Sequence, residues 1–183
     1  MPAFIALLRA VNVGGTGKLP MSELKTMCEA AGFQNVKTYI ASGNVVFLCP
    51  KSEAHVKKTL EVMLAEYAGK PVGVMVRTAD EMAAVVANNP FPDRPGNRTV
   101  AIFLDSAPPE NAIQMATGVR DEEMAPGVRE IYVSYGAGMA DSKLKIPAAK
   151  SGTARNLNTI AKLAEMAADL WAATADRLGS RTI

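Results

Sequence analysis

Four apolar segments of this chain lack the alternation of apolar and polar residues that a half-exposed β-strand shows. They are residues 3–8, 45–48, 72–76 and 100–104. Strands of this kind predict a sheet that is covered on both faces. Two arrangements satisfy that requirement: the two halves of the chain pack closely, or one sheet face meets a partner subunit. With 183 residues, 49% of them hydrophobic, the chain can build one compact unit or two small subdomains.

The first half of the chain predicts the element order β-α-β-β-α-β. Strands are expected at residues 3–10, 35–41, 44–48 and 71–77, and helices over about 20–31 and 51–68. This is the order of the split βαβ, or ferredoxin-like, arrangement. Thr78 and Glu81 have the spacing of a capping box, which opens a further helix to about residue 88. Residues 1–88 are therefore predicted to form an N-terminal ferredoxin-like subdomain.

The second half predicts most of the same order after a proline-rich connecting loop at residues 89–97. The expected elements are strand 99–104, helix 108–118, strands 129–135 and 138–145, and a long helix over about 155–178. Residues 98–183 are predicted to form a C-terminal ferredoxin-like subdomain with that terminal helix. The fold class is thus α+β, with two closely packed ferredoxin-like subdomains. The duplication rests on topology, since the sequence shows no convincing repeat at the level of residues.

Several kinds of chemistry are disfavoured by composition. The net charge of +2 is too small to predict a nucleic-acid or membrane partner. No apolar run approaches the roughly 18 residues of a membrane span. Two cysteines and one histidine predict no metal site, and no cofactor is expected. Ser42 lacks a histidine base, because His55 lies on a charged helix, so no catalytic residue can be assigned. We expect a cytoplasmic protein with reduced thiols.

The loop from Asn12 to Lys18 has the glycine-rich composition of an anion-binding turn between a strand and a helix. It does not match a nucleotide-binding P-loop, because Asn12 and Leu19 replace the first glycine and the metal-binding hydroxyl. Two interpretations remain: an anion cradle that uses Gly14, Gly15 and Lys18, or a tight connection whose glycines serve backbone geometry alone.

The segment 141–155 carries four cations and one carboxylate. Thr153 is predicted to cap the long helix, which would place Arg155 and Asn156 at a helix N-terminus, where an acidic residue suits the dipole better. A cation there favours an anionic ligand, and Lys150 lies nearby in sequence. Internal bracing, with Arg155 paired to a carboxylate elsewhere, explains the same residues.

Several motifs together resemble the domain of unknown function 1697 family. They are Leu7–Gly15, Pro20–Leu24, Thr38–Phe47, Asn89–Phe91 and Thr153–Thr159. The resemblance implies two ferredoxin-like subdomains and assigns no activity. Leu157 stands where that family usually has Trp, which removes either an aromatic ligand contact or a larger core side chain.

The function predicted best is binding of a small phosphate- or carboxylate-bearing ligand between the two halves. In addition to the residues named above, Arg9, Ser42 and Asn44 are candidate contacts, because they lie in polar loops on an apolar scaffold. One alternative is nucleic-acid binding through the basic segment 143–155, although aromatic residues for base stacking are scarce. Another is a structural protein that dimerises through an apolar sheet face. A homodimer is also compatible with ligand binding.

Overall fold

A computed structural model of the chain describes residues 1–13 and 18–179, which contain two antiparallel sheets and four α-helices. The elements are β1 (Ala3–Leu8), α1 (Met21–Ala30), β2 (Gln34–Thr38), β3 (Asn44–Leu48), α2 (Glu53–Ala68), β4 (Val74–Thr78), α3 (Ala79–Ala87), β5 (Thr99–Phe103), β6 (Glu123–Pro126), β7 (Glu130–Ser134), β8 (Thr153–Asn156) and α4 (Leu157–Gly179). The fold class is α+β, as predicted.

The chain divides into two compact units. Unit 1 comprises Met1–Ala83 together with the chain from Lys162 onward, and unit 2 comprises Ala84–Ala161. This division differs from the predicted boundaries at 88 and 98, since the predicted C-terminal subdomain included the whole long helix. Helix α4 instead begins in unit 2 and continues in unit 1. Its buried residues in unit 1, Leu163, Ala167 and Leu170, recur at helical spacing, whereas Trp171 is exposed.

Unit 1 contains the predicted β-α-β-β-α-β order, and its strands pair as β2-β3-β1-β4. One sheet face packs against α1 and α2 through a single apolar cluster that includes Phe33, Phe47 and Leu60. The rings of Phe33 and Phe47 stack at a centroid distance of 4.3 Å. All six residues of β1 and all five of β3 are buried within this one chain, so the unalternating apolar runs at residues 3–8 and 45–48 are covered on both faces.

Unit 2 repeats the sheet order as β6-β7-β5-β8 but not the helices. The helix predicted at 108–118 is wrong: Pro108 and Pro109 lead into successive turns, and bonds such as Ala112 N to Pro109 O (2.9 Å) do not propagate into a helix. The strand predicted at 138–145 is also wrong, because only an isolated bridge joins Lys145 to Thr117. Strands β6 and β8 take the two outer places in the sheet instead.

The two sheets share a short residue-level correspondence that the sequence analysis did not detect. Arg77 lies opposite Ile5 across β4 and β1, and Arg155 lies opposite Ala101 across β8 and β5. Each arginine is buried, and its Nη1 donates to the carbonyl of the preceding residue at 2.9 Å. The same position in both sheets therefore carries the same side chain with the same local hydrogen bond.

The residue after each arginine caps the helix that follows. Thr78 Oγ1 accepts from Glu81 N at 3.2 Å, and Glu81 Oε2 accepts from Thr78 N at 2.8 Å, which confirms the predicted capping box. Asn156 Oδ1 accepts from Thr159 N at 2.9 Å and caps α4. The prediction that Thr153 caps this helix is wrong, because Thr153 lies inside β8.

Candidate functional site

The connection that leaves β1 is held closed by one side chain. Asn12 Oδ1 accepts from Leu19 N at 2.7 Å, while its Nδ2 donates to Leu19 O at 2.9 Å and to Ala41 O at 2.7 Å. Asn12 also has a φ of +55°, a left-handed conformation that Asn tolerates better than most residues. Asn12, a predicted ligand contact, thus clamps Leu19 and Ala41 together. Gly14 and Gly15 lie outside the described residues.

The β2–β3 connection supports this clamp from the other side. Asn44 is fully buried, and its Nδ2 donates to Tyr39 O and Ser42 Oγ, each at 2.9 Å. Gly43 has a φ of +86°, and its carbonyl accepts from Leu8 N at 2.8 Å. Asn44, a predicted ligand contact, is thus a buried residue whose amide builds the turn. Ser42, half-buried, accepts one of those hydrogen bonds.

A cavity of about 480 Å³ opens in unit 1 beside this loop. Two predicted residues, Arg9 and Lys18, line it together. The opposite wall comes from the end of α2 and the turn that enters β4, and it contributes Tyr67 and Lys70. Among the described residues that line the cavity, three are cations and none carries a carboxylate. The arrangement is a positively charged pocket.

The sequence analysis did not identify Lys70 and Tyr67 as site residues, although the predicted strand pairing places the segment before β4 close to Arg9. Strands β1 and β4 are antiparallel neighbours, with Leu8 opposite Val74. The residues after β1 and those before β4 must therefore meet at one edge of the sheet. Arg9 N in fact donates to Gly73 O at 2.9 Å. The exposed ring of Tyr67 lies in the last turn of α2, beside the same edge.

The floor of this cavity is apolar. Leu64 is 1% exposed, Leu19 5% and Val11 7%. Ala10, also in the lining, has a φ of +53°, which costs roughly 1 kcal/mol for a residue with a Cβ. Backbone strain of this kind is found often at binding sites, where the surrounding structure holds it in place.

The remaining candidates lie in unit 2, within or near β8. Arg155 is buried, and its Nη1 donates to Thr153 Oγ1 at 2.7 Å as well as to Ala154 O. Burial lowers the pKa of Arg155 to about 10, so the side chain is still cationic at neutral pH. The expectation of Arg155 at a helix mouth is wrong, because it precedes the helix as part of a strand. Asn156 is the helix cap, and Lys150 lines a second cavity.

Neither a metal centre nor a membrane span is found in the described residues. No cluster of three or more His, Cys, Asp or Glu side chains there has an arrangement that could hold a metal ion. Across residues 1–13 and 18–179, no helix combines the length and apolar character needed to cross a membrane.

The fold and the pocket together define an α+β protein of two four-stranded antiparallel sheets with a cationic cavity beside the first. The chain belongs to the family described as Protein of unknown function (DUF1697), which it matches over residues 1–132. That stretch includes every described residue of the cationic cavity. The resemblance seen in the sequence motifs is thereby confirmed.

A solved structure is similar over most of the chain. It is that of the conserved bacterial protein SP0830 from Streptococcus pneumoniae, with 23% sequence identity and a TM-score of 0.74. The similarity covers 91% of this chain and 98% of that one. At this identity the likeness supports the fold alone. No curated protein matches the chain significantly.

Proposed function

We propose that the protein binds a small anion in the cationic cavity of unit 1. The observation that carries the proposal is the grouping of Arg9, Lys18 and Lys70 around one cavity whose described lining has no carboxylate. Cations grouped in this way repel one another in the empty protein, and a bound anion removes that cost. The ligand class is a phosphate- or carboxylate-bearing small molecule.

Two features prepare this cavity for a ligand. The Asn12 clamp holds the backbone of Leu19, directly after Lys18, so less conformational entropy is lost at Lys18 when an anion binds. The apolar floor, formed by Leu64 and Leu19, lowers the local dielectric constant and strengthens each charge interaction. Arg9 adds a planar guanidinium, which can donate two parallel hydrogen bonds to a phosphate or carboxylate.

Isothermal titration of the full chain with pyrophosphate tests the proposal. We expect saturable binding that weakens about tenfold in Lys18→Ala and about tenfold in Lys70→Ala, the loss typical of one charge-assisted hydrogen bond. Lys58→Ala is the matched control: it removes the same charge from an exposed position on α2 that does not line the cavity. It should bind pyrophosphate like the unmodified chain.

Two results would overturn the proposal. One is the absence of saturable binding to pyrophosphate, inorganic phosphate and citrate in a folded protein. The other is equal weakening in Lys58→Ala and Lys70→Ala, which would indicate a general charge effect. A comparison of ADP with pyrophosphate examines the ring of Tyr67: stacking of the base would make ADP bind more tightly, and Tyr67→Ala should remove that difference.

The alternative of nucleic-acid binding through residues 143–155 has lost part of its basis. Arg155, one of the four cations of that segment, is buried in β8 and is not presented at the surface.

We also propose a cytoplasmic location, which is supported by two free cysteines, Cys28 and Cys49, both buried.

A further inference from the structure

Unit 2 contains a second cavity, of about 500 Å³, with a different chemical character. It arises where unit 2 lacks counterparts of α1 and α2. In unit 1 those helices cover the sheet face that carries Phe4, Ala6 and Leu8. The equivalent face of unit 2 is covered by turns and loops, which leave Ile102, Leu144 and Ala149 partly exposed. The cavity lies over this incompletely covered apolar surface.

The lining of this cavity is aliphatic, with two lysines. Apolar side chains form most of it, and Lys145 and Lys150 are both exposed to solvent. No carboxylate is found among the described residues that line it. An apolar pocket with cations at its border is complementary to a molecule with one apolar end and one negative end.

One wall of the cavity is fixed by backbone hydrogen bonds. Thr117 N donates to Lys145 O and Lys145 N donates to Thr117 O, both at 2.9 Å. Gly118, with a φ of +69°, lies so close to Lys143 that an added Cβ would stand 2.1 Å from its carbonyl oxygen. These contacts hold the backbone of Lys145 in place on this side of the cavity.

One carboxylate, that of Glu122, lies near Tyr135, which also lines the cavity. Burial raises the pKa of Tyr135, and the charge of Glu122 adds to that shift. Glu122 accepts from the Ser142 hydroxyl and from Arg120 N, so its carboxylate is already engaged. Because Glu122 would repel an anion near Tyr135, the negative end of a ligand belongs at the lysines and its apolar tail belongs over Ile102 and Leu144.

We infer that this cavity binds an aliphatic monocarboxylate of medium chain length, with its carboxylate at Lys145 and Lys150 and its tail on the exposed face of the second sheet. The inference concerns a different cavity from the proposed anion site and does not depend on it. The carboxylate forms charge-assisted hydrogen bonds to the lysines, and the tail covers apolar surface that water now contacts.

Calorimetric titration of the full chain with octanoate, acetate and octanol tests this inference. Octanoate should bind saturably, whereas acetate, without the tail, and octanol, without the charge, should each bind at least about tenfold more weakly. Lys145→Gln should weaken octanoate binding about tenfold. Lys143→Gln, two residues away and outside the lining, is the matched control and should leave it unchanged.

A second variant removes the cavity rather than the charge. Ala149→Leu places a larger apolar side chain in the half-buried lining and should abolish octanoate binding, while circular dichroism shows that the protein still folds. The inference is overturned if octanol binds as tightly as octanoate, or if Lys145→Gln and Ala149→Leu both bind octanoate normally. Pyrophosphate binding in Lys145→Gln should match the unmodified chain, which separates this site from the cavity of unit 1.

Discussion

Replacement of Gly43 by alanine is the most direct test of how the loops around the cationic cavity are packed. Gly43 has a φ of +86°, and a Cβ at this position would stand 2.5 Å from Val11 Cγ2 and 2.8 Å from Leu8 Cβ. The left-handed backbone costs roughly 1–2 kcal/mol for a residue with a Cβ. The two close contacts add about 1–3 kcal/mol of overpacking. We expect Gly43→Ala to lower the free energy of unfolding by about 2–5 kcal/mol.

Gly32→Ala separates the two contributions. Gly32 has nearly the same φ, +85°, but an added Cβ would have no neighbour within 4 Å. Its substitution should therefore cost only the backbone strain, roughly 1–2 kcal/mol. Both variants reduce the entropy of the unfolded chain equally, so this effect cancels in the comparison. The difference between the two variants measures the contact of Gly43 with Val11 and Leu8.

Urea unfolding followed by circular dichroism provides the measurement, with the slope against urea as the check that both variants unfold to the same extent. Because Val11 also lines the cationic cavity, Gly43→Ala should weaken pyrophosphate binding, whereas Gly32→Ala should not. If the two variants differ in stability by less than about 0.5 kcal/mol, the close packing of this turn against β1 and the following residues is refuted.

Three further predictions follow from single side chains. Thr78→Ala and Asn156→Ala each remove a helix cap and should each lower the free energy of unfolding by about 1 kcal/mol in urea melts. Burial raises the pKa of Tyr132 to about 12, so the contribution of this group to the free energy of unfolding is complete below its ordinary pKa of about 10 and is lost as the pH rises through 12. Tyr132→Phe should therefore flatten the decline in the urea midpoint between about pH 10 and 12. Burial also raises the pKa of Cys28 to about 12. In a Cys49→Ser chain, the Cys28 thiol should therefore resist Ellman's reagent at about pH 8 until urea unfolds the protein. Rapid reaction of the native protein would contradict the burial of Cys28.

The fold of unit 1 could be predicted because each element carries its own local signals. The capping box at Thr78 and the apolar β1 have strong and independent patterns. Strands β6 and β8 of unit 2 lack such signals. Strand β6 has the sequence Glu-Met-Ala-Pro, without a β-branched or aromatic residue, so its place in the sheet depends on pairing with β7. Strand β8 has only four residues and directly precedes the strongly periodic helix α4, so the sequence analysis assigned part of it to that helix.

The candidate site was predicted in part for a related reason. Arg9 and Lys18 lie beside a glycine-rich loop, which is a recognisable local pattern. Lys70 follows the last turn of α2 with no motif around it, and only the pairing of β1 with β4 brings it to the same cavity. Asn12 and Asn44 were identified from the same loops, but the sequence does not distinguish an amide that contacts a ligand from one that satisfies backbone carbonyls.

The repeat shared by the two sheets explains why their cavities occur where they do. Arg77 and Arg155 occupy matching positions in the last strand of each sheet, and a capping residue starts a helix directly after each. A buried guanidinium must keep its hydrogen bonds, so this part of each unit tolerates little change. The segment that enters the same strand differs in sequence between the two units. Residues 70–73, before β4, line the cationic cavity, and residues 144–150, before β8, line most of the aliphatic one. The two units thus place cavities with different linings at the same topological position, because the connection into the strand differs while the arginine-bearing strand keeps its register.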